Sequence, residues 1–84
     1  MVSQRTAVFG GDVRQRARWA DLEDAEFFMS TRYGGNGEVR RLTAALRGGR
    51  IRRVLLLTRW NGHSAVNAIR SLCRDLGVPV ELVR

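Results

Sequence analysis

The run Val54-Leu55-Leu56-Leu57, inside "RVLLLTRW" at residues 53–60, carries no polar alternation. A strand with one wet face alternates apolar and polar side chains, whereas a strand covered on both faces reads as a continuous apolar block, the pattern of parallel sheets. Parallel neighbours need long crossovers, usually helical, and both flanks supply them. Between Glu38 and Arg47, residues Val39, Leu42, Ala45 and Leu46 recur at helical spacing, with Gly48 and Gly49 as the stop. From Ser64 onward, Ala65, Val66, Ile69, Leu72, Cys73 and Leu76 form one apolar face, Arg70, Arg74 and Asp75 turn outward, and Gly77 ends the helix.

The remaining segments extend the alternation. "TAVFGG", residues 6–11, reads as a buried strand entering a tight turn, and Asp12 is placed to cap a helix over Val13–Leu22 with Val13, Ala17, Ala20 and Trp19 on its apolar stripe. "AEFFMS", residues 25–30, reads as a second strand, followed by the loop "RYGGNG" at 32–37. "VPVELV", residues 78–83, closes as a strand with its proline near the start, where no ladder bond is lost. The expected fold is a single α/β domain over residues 1–84: a small four-stranded parallel sheet with three helices, half of a Rossmann-like or flavodoxin-like fold. Right-handed crossovers predict the order second, first, third, fourth strand. There is no internal repeat, low-complexity stretch or linker.

A chain of 84 residues buries only about 60% of the surface its unfolded form exposes. Trp19, Trp60, Phe27, Phe28 and Met29 supply more large apolar surface than one thin sheet needs, which points to a homo-oligomer, a dimer or higher, or to a buried flat ligand. Cys73 stands alone, so an internal disulfide is excluded, as are the paired-cysteine attachment of c-type haem and a four-cysteine cluster within one chain. "MVSQRTAVFGG" lacks the apolar stretch of a signal peptide, and no run approaches the ~20 apolar residues of a membrane span, so the sequence points to a cytoplasmic protein away from membranes.

The formal net charge is +7, and all 15 basic residues are arginine, whose planar fork suits carboxylates and phosphates. The arginines are spread along the chain, with "RGGRIRR" at 47–53 the clearest cluster. The plainer reading is a solvated surface, with nucleic acid left open as a partner.

In open parallel sheets a ligand sits beyond the carboxyl ends of the strands where connections diverge. That point lies between the first and third strands, where "GGD" at 10–12 meets "RWNGHS" at 59–64, with "YGGNG" at 33–37 to one side. The glycine loops are able to nest an anion, but they lack the lysine and hydroxyl of a P-loop, and turn formation explains them as well. His63, the only histidine, is expected at a helix N-terminus, where the dipole favours neutral imidazole, the form a metal needs. Three protein ligands for zinc are not visible near it. A porphyrin iron asks for one or two protein ligands, an apolar slot and cations for its propionates. His63, Trp60 and Arg59 contain that minimum, and Arg32 is a further cation. The plainer reading makes His63 a loop residue, Trp60 a cover for the sheet end, Tyr33 a loop anchor and Cys73 a small core residue. A Ser64–His63–Asp12 hydrolase has little support, because no partner is seen to orient the imidazole and nothing names a substrate.

The segments "AVFGGD", "YGGNGEVRRL", "VLLLTRWNGHSAVNAIRSLC" and "GVPV" together resemble the bacterial domain of unknown function family 2325, over nearly the whole chain. The resemblance implies a compact Rossmann-like or flavodoxin-like module. It also implies b-type haem bound through His63 as proximal iron ligand, with dioxygen or another diatomic gas coordinated as in a carrier or sensor. The cofactor site would then comprise Arg59, Trp60, Asn61, Arg32, Tyr33 and Met29, the arginines facing propionates, Trp60 packing on the porphyrin, and Met29, Phe27 and Phe28 supplying apolar wall or subunit contact. A binding module for nucleotides or nucleic acid without haem is the alternative.

Overall fold

The structure is a computed structural model that describes residues 4–11, 17–19, 21–30, 36–58 and 61–83. Its elements run β1 (Arg5–Phe9), β2 (Ala25–Phe28), α1 (Asn36–Arg47), β3 (Ile51–Leu57), α2 (His63–Leu76) and β4 (Val80–Val83). The four strands form one parallel sheet in the order β2-β1-β3-β4, the order expected from the crossovers.

Period-two alternation in the strands and the 3.6-residue stripes of the helices together build two apolar layers. On one face, Ala7, Phe9, Phe28, Val54 and Leu56 from the sheet meet Leu42, Ala45 and Leu46 of α1 and Ala65, Val66, Ile69 and Cys73 of α2. On the other, Val8, Leu55 and Leu57 are buried beneath Trp19, Leu22, Ala25, Phe27 and Val83. Leu55, Leu56 and Leu57 therefore divide between the two faces, which is why their run shows no alternation. Fully burying a side chain of this size contributes about 1.5–3 kcal/mol.

The strongest helix in the sequence is α2, and its end follows the expected glycine stop. Gly77 takes a left-handed conformation at φ 72°; its N–H donates to the Arg74 carbonyl and the Val78 N–H to the Cys73 carbonyl. Val78 packs on the same core as Cys73, so the turn is closed by hydrogen bonds and by apolar contact. It delays β4 to Val80, two residues later than the sequence predicts, and leaves the Pro79 carbonyl to accept from the Val54 N–H.

Among the described residues two full helices stand where three are expected. Residues 12–16 and 20 of the expected Val13–Leu22 helix lie outside the described residues, and the helical stretch at 17–18 gives way to turn at Trp19. There the Leu22 N–H donates to the Trp19 carbonyl and the Ala25 N–H to the Leu22 carbonyl, three residues back in each case. The cause is Asp24: its backbone carbonyl accepts from the Thr6 N–H and its carboxylate from the Thr6 hydroxyl, drawing the chain onto β1 before another helical turn forms.

The second strand also ends earlier than "AEFFMS" suggests. The Met29 N–H turns to the Glu38 carboxylate and the Ser30 N–H to the Gly11 carbonyl, so neither continues the ladder from Phe28. The third strand starts at Ile51 and ends at Leu57, displaced toward its amino end relative to 53–60. Between Arg5 and Thr6 its register jumps from Ile51 to Arg53, leaving Arg52 unpaired in the ladder and its guanidinium on Asp24.

Candidate functional site

Both described helices cover one face of the sheet, while Trp19 and Leu22 of the β1–β2 connection cover the other. The connections leaving β1 and β3 therefore diverge, and the crevice between the carboxyl ends of those two adjacent strands is the point where a ligand finds backbone ends and loops together.

Asn61 bridges that crevice. Its side-chain nitrogen donates to the Phe9 carbonyl at 3.0 Å and to the Leu57 carbonyl at 3.1 Å, the last residues of β1 and β3. Gly10, at φ 136°, makes room for it, since a β-carbon there would stand 2.6 Å from the Asn61 nitrogen. The tie fixes the residue two places before His63, which is exposed and opens α2.

The start of α2 is capped by Gly62, which has no side chain to bond the first-turn amides. The first helical bond runs from the Val66 N–H to the Gly62 carbonyl, so the amides of His63, Ser64 and Ala65 precede the ladder. Their positive end favours an electron-rich ligand beside them. Two buried polar atoms at this edge have no hydrogen-bond partner among the described residues, Oδ1 of Asn61 and Oγ of Ser30. Ser30 is fully buried and linked to the glycine turn through its N–H on Gly11.

The sequence-predicted site is brought together in part. Asn61 and His63 lie at the crevice, with the amide nitrogen of Asn61 committed to the fold and Oδ1 left for other contacts. Met29 is half-buried just beyond β2, its N–H 3.3 Å from the Glu38 carboxylate that also holds Arg41. Arg32, Tyr33, Arg59, Trp60 and Asp12 lie outside the described residues. Phe28, expected as wall or subunit contact, is taken up by the core, with the Arg41 guanidinium 4.2 Å from its ring. Phe27 and Trp19 are half-buried against the opposite face. Among the described residues the large apolar side chains left exposed are Leu76 and Leu82, neither picked out as surplus by the sequence.

Ser30 is a residue sequence reading missed, and Gly10, placed at the crevice within "GGD", carries a role that reading did not assign. "FGG" announced a turn without showing that Gly10 seats a side chain from 51 residues away, and Ser30 read as the last residue of a strand.

Most of the cluster at 47–53 is engaged by neighbouring strands. Arg52 pairs with Asp24, Arg50 stands 4.0 Å from Glu26, and the Arg53 Nε donates to the Thr6 hydroxyl at 3.1 Å. Three of its cations are thus engaged by β1, β2 and the turn before β2, away from the carboxyl edge. Ser64 is exposed beside His63, and no group of three His, Cys, Asp or Glu able to hold a metal ion occurs among the described residues. No described helix is long and apolar enough to cross a membrane.

Compared with protein-family models, curated proteins and solved structures, the chain matches none.

Proposed function

We propose that the chain is a haem-binding module that uses the carboxyl edge of its sheet, with His63 as the residue that would hold the iron. The observation that carries the reading is the placement of His63: exposed, first in a 14-residue helix with an uncapped start, and two residues from the Asn61 tie. The donor set fits the group. A bare zinc ion needs three or four protein ligands, whereas a porphyrin brings its own equatorial nitrogens and asks the protein for one imidazole. Bound there, haem would supply the chemistry to coordinate dioxygen or another diatomic gas.

In this reading Asn61 holds the loop so that His63 presents a ring nitrogen without reordering the chain. Arg59 and Arg32 would supply the cations for the propionates, and Trp60, Tyr33 and Met29 would supply the surface against the porphyrin. A second copy of the chain supplies the wall that an exposed imidazole lacks, which makes the active form a homo-oligomer working in the cytoplasm.

The absorption spectrum of the purified protein, before and after haem addition, tests this. A sharp Soret band at one haem per chain or per dimer, shifting with carbon monoxide and lost in His63→Ala while far-UV circular dichroism is unchanged, is the expected result. A diffuse band of adsorbed haem, or a Soret band untouched by His63→Ala, overturns it.

The unpartnered Asn61 Oδ1 next to the start of α2, which has no side-chain cap, and the unpartnered Ser30 Oγ just beyond β2 favour one second reading, a nucleotide phosphate at the same edge without haem. Calorimetry with ATP and inorganic phosphate at low salt separates the two: saturable nucleotide binding in a protein that gives no Soret band selects the second.

A further inference from the structure

The arginines of this chain divide by what they face. Of the eight acidic residues, Asp12, Asp21, Glu23, Asp24 and Glu26 fall within residues 12–26. Arg50 and Arg52 turn toward members of that group, and Arg41 is held by Glu38 and the Phe27 carbonyl. The outer face of α2 is different. Asp75 is its only acid, and its contact with Arg74 is 3.8 Å long between side chains 69% and 79% exposed, a geometry that contributes little. Arg70 has no ion-pair or hydrogen-bond partner among the described residues.

Asn67, Arg70, Ser71 and Arg74 line one shallow concavity of about 290 Å³ on this helix, with no acid on its wall. All four are exposed, and their spacing of three, four and seven residues from Asn67 places them along one side of α2. The opposite side is anchored in the core by Ala65, Val66, Ile69 and Cys73, so the row is presented from a rigid element. Arg70 and Arg74 are one turn apart, a rise of about 6 Å, comparable to the separation of neighbouring phosphates on a nucleic-acid strand. Arginine, asparagine and serine are residue types that hydrogen-bond phosphate oxygens and position a protein on a duplex.

We infer that the outer face of α2 is a docking surface for the phosphate backbone of a nucleic-acid duplex, gripped by Arg70 and Arg74 with Ser71 between them and Asn67 one turn before. A duplex is favoured over a single strand because no aromatic side chain lines the concavity to stack unpaired bases. It is favoured over an acidic protein because polar donors alternate with the cations and no apolar side chain on the wall offers a buried anchor. The inference stands independently of the haem reading.

Fluorescence anisotropy with a labelled 20-base-pair DNA duplex, between 50 and 200 mM salt, tests it in the full chain. Each phosphate contact contributes about 0.9 to the slope of log K against log salt. Arg70→Gln with Arg74→Gln is expected to weaken binding roughly tenfold or more at low salt and to flatten that slope by about 1.8. A control pair, Arg5→Gln with Arg18→Gln, removes the same charge from exposed positions elsewhere and is expected to change affinity far less. Equal losses in both pairs would show attraction by net charge alone and overturn the surface. So would absence of duplex binding, tighter binding of the matching single strand, or tighter binding of a polyglutamate peptide.

Discussion

The side-chain nitrogen of Asn61 occupies the space above Gly10, 2.6 Å from where a β-carbon on that glycine would lie. Leu57 Cβ stands 2.8 Å from the same point, and Gly10 holds φ at 136°, a region L residues rarely adopt. The first turn after β1 and the loop before α2 therefore fit together only if residue 10 has no side chain. The ends of β1 and β3 are tied through a contact that a methyl group would break.

Gly10→Ala is expected to cost roughly 2–4 kcal/mol, combining backbone strain with displacement of Asn61 and Leu57. Gly49→Ala makes the comparison, because Gly49 also has positive φ, at 73°, but open space where the β-carbon would go. It should lose only about 1–2 kcal/mol, the cost of the left-handed conformation. Urea unfolding of both variants checks this, and equal losses would refute the steric role of Asn61.

Asp24 accepts a 2.8 Å hydrogen bond from Thr6 and an ion-paired contact from Arg52. The Thr6 hydroxyl first, and the Arg52 guanidinium after it, hold the Asp24 carboxyl below its ordinary range despite the opposing effect of burial. A carboxylate with a lowered folded-state pKa stabilises the fold fully above its unfolded value, about 3.9, and loses that contribution as pH falls through the folded value. Asp24→Asn should therefore destabilise by roughly 1 kcal/mol near neutrality. The gap between variant and parent should close in acid. Unfolding free energies from pH 7 down to pH 2 test this, and a gap that widens in acid would contradict the assignment.

Cys73 is fully buried against the sheet, and burial pushes its thiol up to about 11. The thiolate is the reactive form, so the native protein should resist Ellman's reagent at pH 8 and release one thiol per chain in guanidinium. Prompt stoichiometric labelling without denaturant would mean that the α2 face opens readily.

What local pattern determines was readable in the sequence. The unalternating Val54–Leu57 block, the apolar stripe from Ala65 to Leu76 and the glycine at 77 specify strand, helix and stop through forces acting within a few residues, and the parallel order follows from crossover handedness. Cys73 as a core residue was legible for the same reason. Tertiary contact decided the rest. The turn before β2 depends on Thr6 capturing Asp24 across 18 residues, and the contacts of Arg50, Arg52 and Arg53 depend on Glu26, Asp24 and the Thr6 hydroxyl, which strand pairing brings alongside. Gly10 serves as the seat of Asn61 only because β1 and β3 become neighbours. Such interactions join residues distant in the chain, so their energies leave no periodic trace, and the candidate site at the carboxyl edge takes shape only when the strands are aligned.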